Sequence, residues 1–375
     1  MKTKKTLSLA LVLVMILSLL AGCVAQQTTE FQQAFSSDAV LSQVYPESGS
    51  TVTLHTKKQD SYLNKPFALM YISATGKKEL SKPESVTLKW TYNSEEPAER
   101  TIVSVSENEN MLNPAVYEVT GDSLTLTNLK IAAAYYWSVN INGVDSSVYC
   151  FTTSADAPRN ISVDGVANVR DLGGRETDLG TRTKQGLIYR CGRLNESSAD
   201  TVNIEITEDG RNTMLYGLGI KSEIDLRKTE GNEVGGITSS PLGDTVTYYS
   251  CPMEWDGDML YDNKEQVLRV FEILSDENSY PLIFHCNIGT DRTGMISFLV
   301  NALLGVPEDE LIKDYMFSNL ANIGGTRKSS QLKNSGYYKA VSAAQGGSLS
   351  EKTYNCLVDL GVPSDQLDKV IEILG

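Results

Sequence analysis

One ten-residue stretch constrains this 375-residue chain more than any other. Residues 285–294 read His-Cys-Asn-Ile-Gly-Thr-Asp-Arg-Thr-Gly, which places Cys286 shortly before Arg292. A short apolar run bounded by proline, 281–284, precedes the stretch, and a long apolar run, 295–304, follows it. Such runs predict a buried strand and a helix. The stretch is therefore predicted to be a loop that joins a strand to a helix, with a cysteine at its start.

A loop in this position is suited to bind an anion. Its backbone N–H groups can surround the anion, and the helix N-terminus adds about half a positive charge. A thiol beside such a helix end and a guanidinium can have its pKa lowered from ~8.5 into the range of ~3.5–7.5. Cys286 is therefore predicted to be a nucleophilic thiolate. Arg292 is predicted to hold two phosphate oxygens and to stabilise charge in the transition state.

The other loop positions are predicted to bind phosphate. Gly289 lets the backbone turn where a Cβ would clash with a bound oxyanion, and the Thr293 hydroxyl can donate to the sulfur. The predicted phosphate-binding residues are Asn287, Ile288, Gly289, Thr290 and Thr293. A buried core cysteine is the usual fate of a free thiol, but the six matching positions around Cys286 favour chemistry over packing.

The loop resembles the signature of cysteine-dependent tyrosine phosphatases, and in particular the H-C-x-x-G-K-D-R-T-G signature of bacterial tyrosine/serine phosphatases. Three further segments are similar to motifs of that family and occur in its order: Asn-Val-Arg-Asp-Leu-Gly-Gly at 168–174, Tyr-Arg-Cys-Gly-Arg-Leu at 189–194 and Ile-Asp-Leu-Arg at 224–227. The resemblance implies an α/β cysteine-phosphatase domain. It also implies that phosphate monoesters are hydrolysed through a phosphocysteine on Cys286, with a phosphorylated protein, peptide or small phosphomonoester as the substrate.

Two departures from the family pattern affect the predicted chemistry. The family often has lysine at the position of Thr290, and related phosphoinositide phosphatases have lysines at the positions of Asn287 and Thr290. The loss of both cations favours phosphotyrosine, and leaves a phosphoinositide or inositol-polyphosphate phosphatase as an alternative. Cys191 replaces a serine, and it is either a passive buried thiol or the partner of Cys286 in a protective disulfide.

The general acid is predicted among three aspartates, in the order Asp225, Asp291, Asp256. Asp225 ends a predicted strand, and parallel strand ends gather at one active-site edge; the family resemblance points to the same motif. Asp291 lies in the loop, where a bound dianion repels a carboxylate unless it is protonated or turned away. Asp256 lies beside Trp255, and eukaryotic tyrosine phosphatases bring their acid on a separate loop that contains a tryptophan.

The N-terminus predicts export. Three lysines precede an apolar run over 7–20 that is too short for an ordinary membrane span, so a secretory signal is predicted. Residues 20–23, Leu-Ala-Gly-Cys, resemble the bacterial lipoprotein cleavage box, which implies that Cys23 is acylated and becomes the first mature residue. Several acyl chains anchor a protein stably. The expected location is extracytoplasmic, lipid-anchored to a bacterial membrane.

Charge and cysteine usage exclude several partners. The formal net charge of −14 becomes −17 when a leader with three lysines and no acids is removed. An acidic surface argues against nucleic acid and against electrostatic docking on anionic lipid. The remaining cysteines have spacings that match no disulfide framework or zinc site, so neither a metal nor another cofactor is predicted; they are Cys150, Cys191, Cys251 and Cys356. The sequence leaves the oligomeric state open.

The chain is predicted to be multidomain. Alternating runs such as 86–92 indicate an all-β region, and its last strands resemble a fibronectin type III or immunoglobulin-like sandwich with Tyr135 as the corner tyrosine. Trp90 and Trp137 are predicted to be core residues. The predicted parts are a lipoprotein signal peptide (1–22), a tether (23–44), an immunoglobulin-like sandwich (45–154) and the α/β cysteine-phosphatase domain (155–375). An alternative of another class is a surface binding protein whose phosphatase domain is inactive, although the complete signature counts against it.

Overall fold

The computed structural model of the chain describes residues 39–64, 76–196 and 205–375. The predicted signal peptide, Cys23 and the tether up to residue 38 lie outside these residues. The described residues form two compact units. The β unit comprises residues 39–53, 85–127 and 132–154, and the α/β unit comprises the described parts of 54–84, 128–131 and 155–375.

The β unit is built from two sheets. One has the order β1-β3-β6 and is antiparallel. The other has the order β2-β9-β7-β4-β5, with β8 paired to β7; it is antiparallel except that β2 runs parallel to β9. The strands are β1 Leu41–Tyr45, β2 Ser50–Val52, β3 Val86–Tyr92, β4 Thr101–Ser106, β5 Ala115–Val119, β6 Ser123–Leu126, β7 Ala134–Ile141, β8 Val144–Asp145 and β9 Tyr149–Thr153.

Aromatic side chains join the two sheets of the β unit. Every second residue of β7 is buried, as expected for a strand with one face toward a core. Trp137 of β7 packs against Trp90 of β3, with ring centroids 6.1 Å apart, so the two sheets face each other as a sandwich. Both tryptophans are buried core residues, as predicted, and Tyr135 stacks on Phe151 at 5.4 Å.

The α/β unit has a mostly parallel sheet of order β10-β11-β14-β12-β13, in which only β10 is antiparallel to its neighbour. Its strands are β10 Arg170–Asp171, β11 Ile188–Cys191, β12 Ser222–Asp225, β13 Thr247–Ser250 and β14 Leu282–His285. All four residues of the central strand β14 are buried, since helices cover both faces of parallel sheets. The strand predicted before the loop is therefore present.

Helices complete the α/β unit. They are α1 Lys57–Asn64, α2 Glu208–Asn212, α3 Lys264–Leu274, α4 Arg292–Leu303, α5 Glu308–Phe317, α6 Ser329–Asn334, α7 Gly336–Ala343, α8 Leu349–Leu360 and α9 Ser364–Leu374. Helix α4 is buried along its whole length, as an apolar helix must be. It therefore holds the end of the loop 286–291 in a fixed place. No helix within the described ranges combines the length and apolar character that a membrane crossing needs.

An N-terminal segment belongs to the α/β unit. Tyr62 of α1 is buried against Phe317 and Leu320, and its hydroxyl donates to the carbonyl of Lys313 at 3.2 Å. The described parts of 54–84 therefore pack with the second unit, although the sequence predicted a continuous β module over 45–154. The difference arises because Tyr62 buries its ring against apolar side chains at the end of α5 and in the turn after it.

Candidate active site

The predicted loop lies at the carboxyl edge of the parallel sheet. His285, the last residue of β14, is paired in register with Cys191 on one side and with Asp225 on the other. Cys286 is the next residue, and Arg292 begins α4. Ligands of open α/β sheets bind outside the carboxyl ends of the strands. The strand, the loop and the helix therefore place the cysteine and the arginine at the position where such sheets hold ligands.

Hydrogen bonds from outside the loop orient its peptide groups. The bonds run from Arg193 N to Asn287 O (2.9 Å), from Asn168 Nδ2 to Ile288 O (3.3 Å) and Gly289 O (3.0 Å), and from Arg190 Nη2 to Gly289 O (2.6 Å). In a trans peptide the C=O and the following N–H point in opposite directions. The N–H groups of residues 288, 289 and 290 are therefore turned away from these donors, toward the inside of the loop. Successive inward N–H groups form an anion-binding concavity.

The structure gives a second reason for glycine at position 289. Its φ is 69°, and a Cβ at this position would lie 2.3 Å from the carbonyl oxygen of Cys191. The neighbouring strand end therefore excludes a side chain at this position, whether or not an oxyanion is bound. A larger residue would have to move the loop away from β11.

Cys286 is buried, and its surroundings favour the thiolate. Burial raises the pKa of the thiol, whereas the charge of Arg292 and the hydroxyl and amide of Thr293 lower it, and the net pKa lies below the ordinary value. The Thr293 hydroxyl is buried and makes no well-formed hydrogen bond to another described residue. It is therefore available to the sulfur. The predicted nucleophile has the electrostatic environment that its proposed chemistry needs.

Arg292 is held by a carboxylate that the sequence analysis did not identify. Its Nη1 donates to Glu233 Oε2 at 2.9 Å, and its Nη2 is paired with Glu233 Oε1. Nη1 also lies 3.2 Å from the carbonyl oxygens of Leu226 and Met253. Burial lowers the pKa of Arg292, but the ion pair outweighs it and keeps the guanidinium charged. Nε is buried and has no partner among the described residues, and Nη2 has a second N–H besides the one directed at Glu233, so two donors on one edge of the guanidinium remain for a ligand.

A cavity of about 410 Å³ opens beside the thiol. Its lining residues are Lys228, Glu230, Gly231, Glu233, Trp255, Cys286, Asn287, Ile288, Asp291 and Arg292. Of the predicted phosphate-binding residues, Asn287 and Ile288 line it. Gly289 and Thr290 lie in the same loop and Thr293 in the first turn of α4, and none of the three is among the lining residues. Trp255 is 59% exposed at the cavity. The structure therefore brings the nucleophile, the arginine and an aromatic surface together.

Asp225 does not line this cavity. Its carboxylate is buried and accepts hydrogen bonds from Nε and Nη2 of Arg227, from the Arg227 amide and from the Tyr248 hydroxyl. Burial raises the pKa of Asp225, but His285 and Arg227 lower it to below its ordinary value. A carboxylate committed to these donors cannot readily give up a proton to a leaving group. Its ranking as first candidate for the general acid is therefore corrected.

Asp291 does line the cavity. It begins the turn into α4, and Arg327 holds its carboxylate through Nε at 3.1 Å and Nη2 at 2.8 Å. Asp256, the third candidate, is exposed beside Trp255 but is not among the cavity-lining residues. Among the three aspartates proposed from sequence, Asp291 is thus the one placed beside the nucleophile.

A buried ion cluster supports the loop from behind, which we call the Asp314 cluster. Its members are Asp314 and the arginines Arg170, Arg175 and Arg190, whose nitrogens lie 2.6–2.8 Å from the carboxylate oxygens. Burial raises the pKa of Asp314, and the three arginines lower it far below its ordinary value. Arg190 also donates to the loop at Gly289. The sequence motifs contain Arg170 and Arg190, but nothing near residue 314 in the sequence signals their shared carboxylate.

A second buried polar group lies beneath the thiol. Glu223, Asp225 and His285 are close enough together to be a conceivable metal site. They are already joined to one another and to neighbours, because His285 Nε2 lies 2.9 Å from Glu223 Oε1 and Glu223 is also bonded by Ser240. We assign them to supporting the strand end.

The two active-site cysteine candidates lie in different apolar clusters. Cys286 belongs to the cluster with Phe284 and Met295, and Cys191 to the cluster with Val163 and Ile283. Cys191 is paired in register with His285, and successive residues along a strand point to opposite faces of its sheet, which accounts for the separation of Cys191 from Cys286. Both thiols are free. This arrangement favours the passive role of Cys191 over the protective disulfide.

The chain is similar to known phosphatases over this unit. The model of a tyrosine phosphatase family matches residues 161–354, just over half of the chain. A predicted tyrosine-protein phosphatase of Cupriavidus necator is 27% identical over 191 residues, which are 45% of this chain and 66% of that protein. A tyrosine-protein phosphatase of Nostoc commune is 24% identical over 195 residues, 44% of this chain and 65% of that protein. The chain thus spans slightly less than two thirds of these relatives.

The solved structures include the core catalytic domain of PP-IP phosphatase SIW14 from S. cerevisiae in complex with citrate. It is 16% identical and covers 40% of this chain and 82% of that one, with a TM-score of 0.29. This degree of likeness is too low to bear on the ligand. The family match contains β14, the loop with Cys286 and Arg292, and helix α4. With its model matched over just over half of the sequence, the chain belongs to the tyrosine phosphatase family.

Proposed function

We propose that this protein hydrolyses phosphate monoesters, with phosphotyrosine as the preferred group, through a phosphocysteine on Cys286. One observation supports the proposal above the others: a thiol of lowered pKa shares a cavity with Arg292 at a loop whose peptide N–H groups turn inward. Such a loop binds the oxygens of phosphate, and the thiolate is the attacking form of cysteine.

The reaction has two steps. The Cys286 thiolate attacks phosphorus in line with the ester oxygen, the S–P bond forms, and the P–O bond breaks as an acid protonates the leaving oxygen. Water then attacks the phosphocysteine, and the sulfur leaves as the thiolate with the Thr293 hydroxyl near it. The net reaction consumes one water and releases an alcohol or phenol and inorganic phosphate. It needs no cofactor.

Glu233 is a positioning residue in this proposal. It occupies Nη1 and Nη2 of Arg292 and leaves Nε unpartnered among the described residues. A guanidinium held on one side in this way presents a fixed donor edge to phosphate on the other, so that less conformational entropy is lost on binding.

We propose Asp291 as the general acid. It lines the cavity with Cys286 and Asp225 does not, although an arginine holds each carboxylate: Arg327 holds Asp291 and Arg227 holds Asp225. Replacing Asp291 with asparagine should slow an alkyl phosphate about 10²-fold but a nitrophenyl phosphate by less than about tenfold, because nitrophenolate leaves without a proton. The variant should also lose the basic limb of the pH–rate profile. Steady-state kinetics on both substrates test this, with Asp225→Asn as the comparison.

The two variants separate the two assignments. Asp225→Asn should lower the rates of hydrolysis of both substrates to a similar degree, because it disturbs the strand end that carries His285 and does not affect proton transfer. If instead Asp225→Asn is selective for the alkyl phosphate and Asp291→Asn is not, the original ranking is right.

The substrate class follows from the shape and charge of the cavity. Trp255 and Ile288 offer apolar surface to a flat ring, and the lining holds only two cationic side chains, Lys228 and Arg292. Lys228 is paired with Glu254 at 2.6 Å, and Arg292 with Glu233. Few charges remain for the secondary phosphates of an inositol polyphosphate. We expect kcat/KM for a phosphotyrosyl peptide to exceed that for inositol polyphosphates by about tenfold or more.

The substrate test is a panel measured on one preparation of the protein, with and without EDTA. EDTA should leave the rates unchanged. A tenfold preference for inositol polyphosphates would establish the alternative activity. No hydrolysis of any phosphate ester by the intact protein would favour the binding-protein alternative.

We further propose that the protein is a lipoprotein whose β unit is an immunoglobulin-like module between the anchor and the phosphatase. The support is the sequence at residues 20–23 and the sandwich of two sheets joined by Trp90 and Trp137. Mass spectrometry of the mature protein from its host should find a diacylglyceryl group on Cys23. An unmodified N-terminus beyond Cys23 would reject the anchor.

A further inference from the structure

A second cavity, of about 440 Å³, adjoins the one that contains Cys286. The two share Lys228 and Glu230 in their walls. The second is formed by three pieces of chain at the carboxyl edge of the sheet: 228–230 after β12, 252–254 after β13, and 261–266 at the start of α3. A substrate whose phosphate sits in the loop can therefore extend from the first cavity into the second.

Acidic groups dominate the two cavities. The carboxylates in their walls are Glu230, Glu233, Glu254, Asp262, Glu265 and Asp291, and the cations are Lys228, Lys264 and Arg292. Two of the cations are neutralised locally, Lys228 by Glu254 and Arg292 by Glu233. The ammonium of Lys264 lies beside Gly361 at the end of α8, where the helix dipole is negative.

The wall of the second cavity is fixed by its own hydrogen bonds. Buried Asn263 accepts from the amide of Glu254 at 2.6 Å, and its Nδ2 donates to the carbonyls of Glu254 and Met259 at 2.9 and 2.8 Å. The segment that carries Glu254 is thus tied to the start of α3, which carries Glu265. This part of the cleft is a preformed surface.

Exposed aromatic rings stand along the same cleft. Trp255 is 59% exposed at the first cavity and Tyr261 is 58% exposed at the second. Large exposed aromatic rings are enriched where polypeptide chains bind. They can cover the aliphatic stem of a lysine or arginine while its charged end meets a carboxylate. A highly anionic inositol phosphate would meet more carboxylates than cations in these walls, and it has no aliphatic stem for the rings to cover.

We propose that the second cavity binds the residues that flank phosphotyrosine in a polypeptide substrate, and that it selects lysine or arginine there. This inference rests on the proposed phosphatase activity of Cys286 and names the substrates that the site prefers. Glu230 and Glu265 are the carboxylates that meet the basic residue, because they line the second cavity, whereas Glu254 is already paired with Lys228. A substrate with an acidic residue at the same position would be repelled by these carboxylates.

The test compares phosphotyrosyl peptides that are identical except for one flanking residue, which is lysine, glutamine or glutamate, placed in turn on each side. Exposed ion pairs contribute a few tenths to one kcal/mol. We therefore expect kcat/KM to be about fivefold higher for lysine than for glutamate on at least one side. The ratio should fall as salt is raised from low concentration, because exposed charges are screened.

Two variants of the intact protein link the preference to this wall. The double variant Glu230→Gln/Glu265→Gln should reduce the lysine-to-glutamate ratio to about twofold or less. Glu272→Gln is the matched control: it removes one carboxylate from the same helix α3, but Glu272 is paired with Arg269 and does not line either cavity. It should keep the ratio of the unmodified protein. Glu272→Gln should hydrolyse nitrophenyl phosphate, which has no flanking residue, at the rate of the unmodified protein, and the double variant should still hydrolyse it in a Cys286-dependent manner.

Two results would overturn the proposal if nitrophenyl phosphate is still hydrolysed. One is equal kcat/KM for the three peptides, whichever side carries the varied residue, and the other is a preference for glutamate. A preference for lysine that Glu230→Gln/Glu265→Gln leaves intact would also overturn it, because another surface would then be responsible. Failure of the proposed function gives a different result. In that case neither the peptides nor nitrophenyl phosphate would be hydrolysed in a Cys286-dependent manner.

Discussion

Replacing Cys286 with serine should lower kcat on a phosphotyrosyl peptide by about 10⁴-fold or more, because the variant has no thiolate to attack phosphorus. The loss should leave anion binding largely intact. The loop keeps its inward N–H groups, which are oriented by Asn168, Arg190 and Arg193 from outside, and Arg292 keeps its partner Glu233. Steady-state kinetics and vanadate titration of the same preparations measure the two effects.

Cys191→Ser is the matched control for that prediction. Cys191 is also a buried free thiol, and its backbone carbonyl lies against Gly289. Its burial raises the pKa of its thiol well above the ordinary value, so it is not poised to ionise. The family resemblance places serine at this position, and we expect activity within about tenfold of the unmodified protein. A Cys286→Ser variant that retained activity in that range would contradict the mechanism.

Replacing Asp314 with asparagine should destabilise the protein by about 3–5 kcal/mol, the usual cost of removing one partner from a buried ion pair. Three buried arginines share this carboxylate; Arg170 and Arg190 would lose the counter-charge it supplies, and Arg175 would keep, among the described carboxylates, only Glu310 at 3.8 Å. The pKa of Arg190 is already lowered to about 9, first by burial and then by Arg170. Urea unfolding at neutral pH measures the free energy of unfolding of both proteins.

The pH dependence gives a second test of the Asp314 cluster. The arginines hold the pKa of Asp314 far below its unfolded value of about 3.9, so its contribution to stability is fully present above that value and is lost as the pH falls below it. The difference between the two proteins should therefore be constant near neutral pH and should narrow below about pH 4. Asp309→Asn on the same helix is the control, since Asp309 is exposed and lies 3.9 Å from its partner Lys313. It should change stability by less than about 1 kcal/mol.

The Asp314 cluster also connects stability to activity. Arg190 donates to the loop at Gly289 O and is held by Asp314. If Asp314→Asn leaves Arg190 free to turn away, one of the donors that orient the loop N–H groups is lost. The variant should therefore bind vanadate more weakly than the Asp309→Asn control at a temperature where both are folded.

Local sequence patterns predicted the central part of the site. They did not predict ion pairs between side chains that are far apart in the sequence. The strand over 282–285, the loop and α4 could be predicted because an apolar run, a glycine and a second apolar run lie next to one another in the sequence. Asp314 pairs with Arg170 across 144 residues of sequence. No local signal marks such a pair.

The position of Asp225 could be predicted from sequence, but its hydrogen bonds could not. As predicted, residue 225 lies at the carboxyl edge of the sheet, in register with His285. The strand pattern could not predict that Arg227, two residues later, turns back to hold the carboxylate. Glu233 was missed for a related reason: it lies in a stretch rich in Gly and Ser, with nothing in the sequence to indicate that it meets Arg292.

In the proposed mechanism, the phosphoryl group passes through the sulfur of Cys286. The most direct test of this step is a rapid-quench reaction of the intact protein with a phosphotyrosyl peptide, followed by mass spectrometry of the digested protein under conditions that preserve phosphocysteine. We expect a phosphoryl group on the peptide that contains Cys286; it should appear before inorganic phosphate and be absent from Cys286→Ser. Phosphate released with no such intermediate at any quench time, or a phosphoryl group on another residue in a fully active protein, would contradict this mechanism.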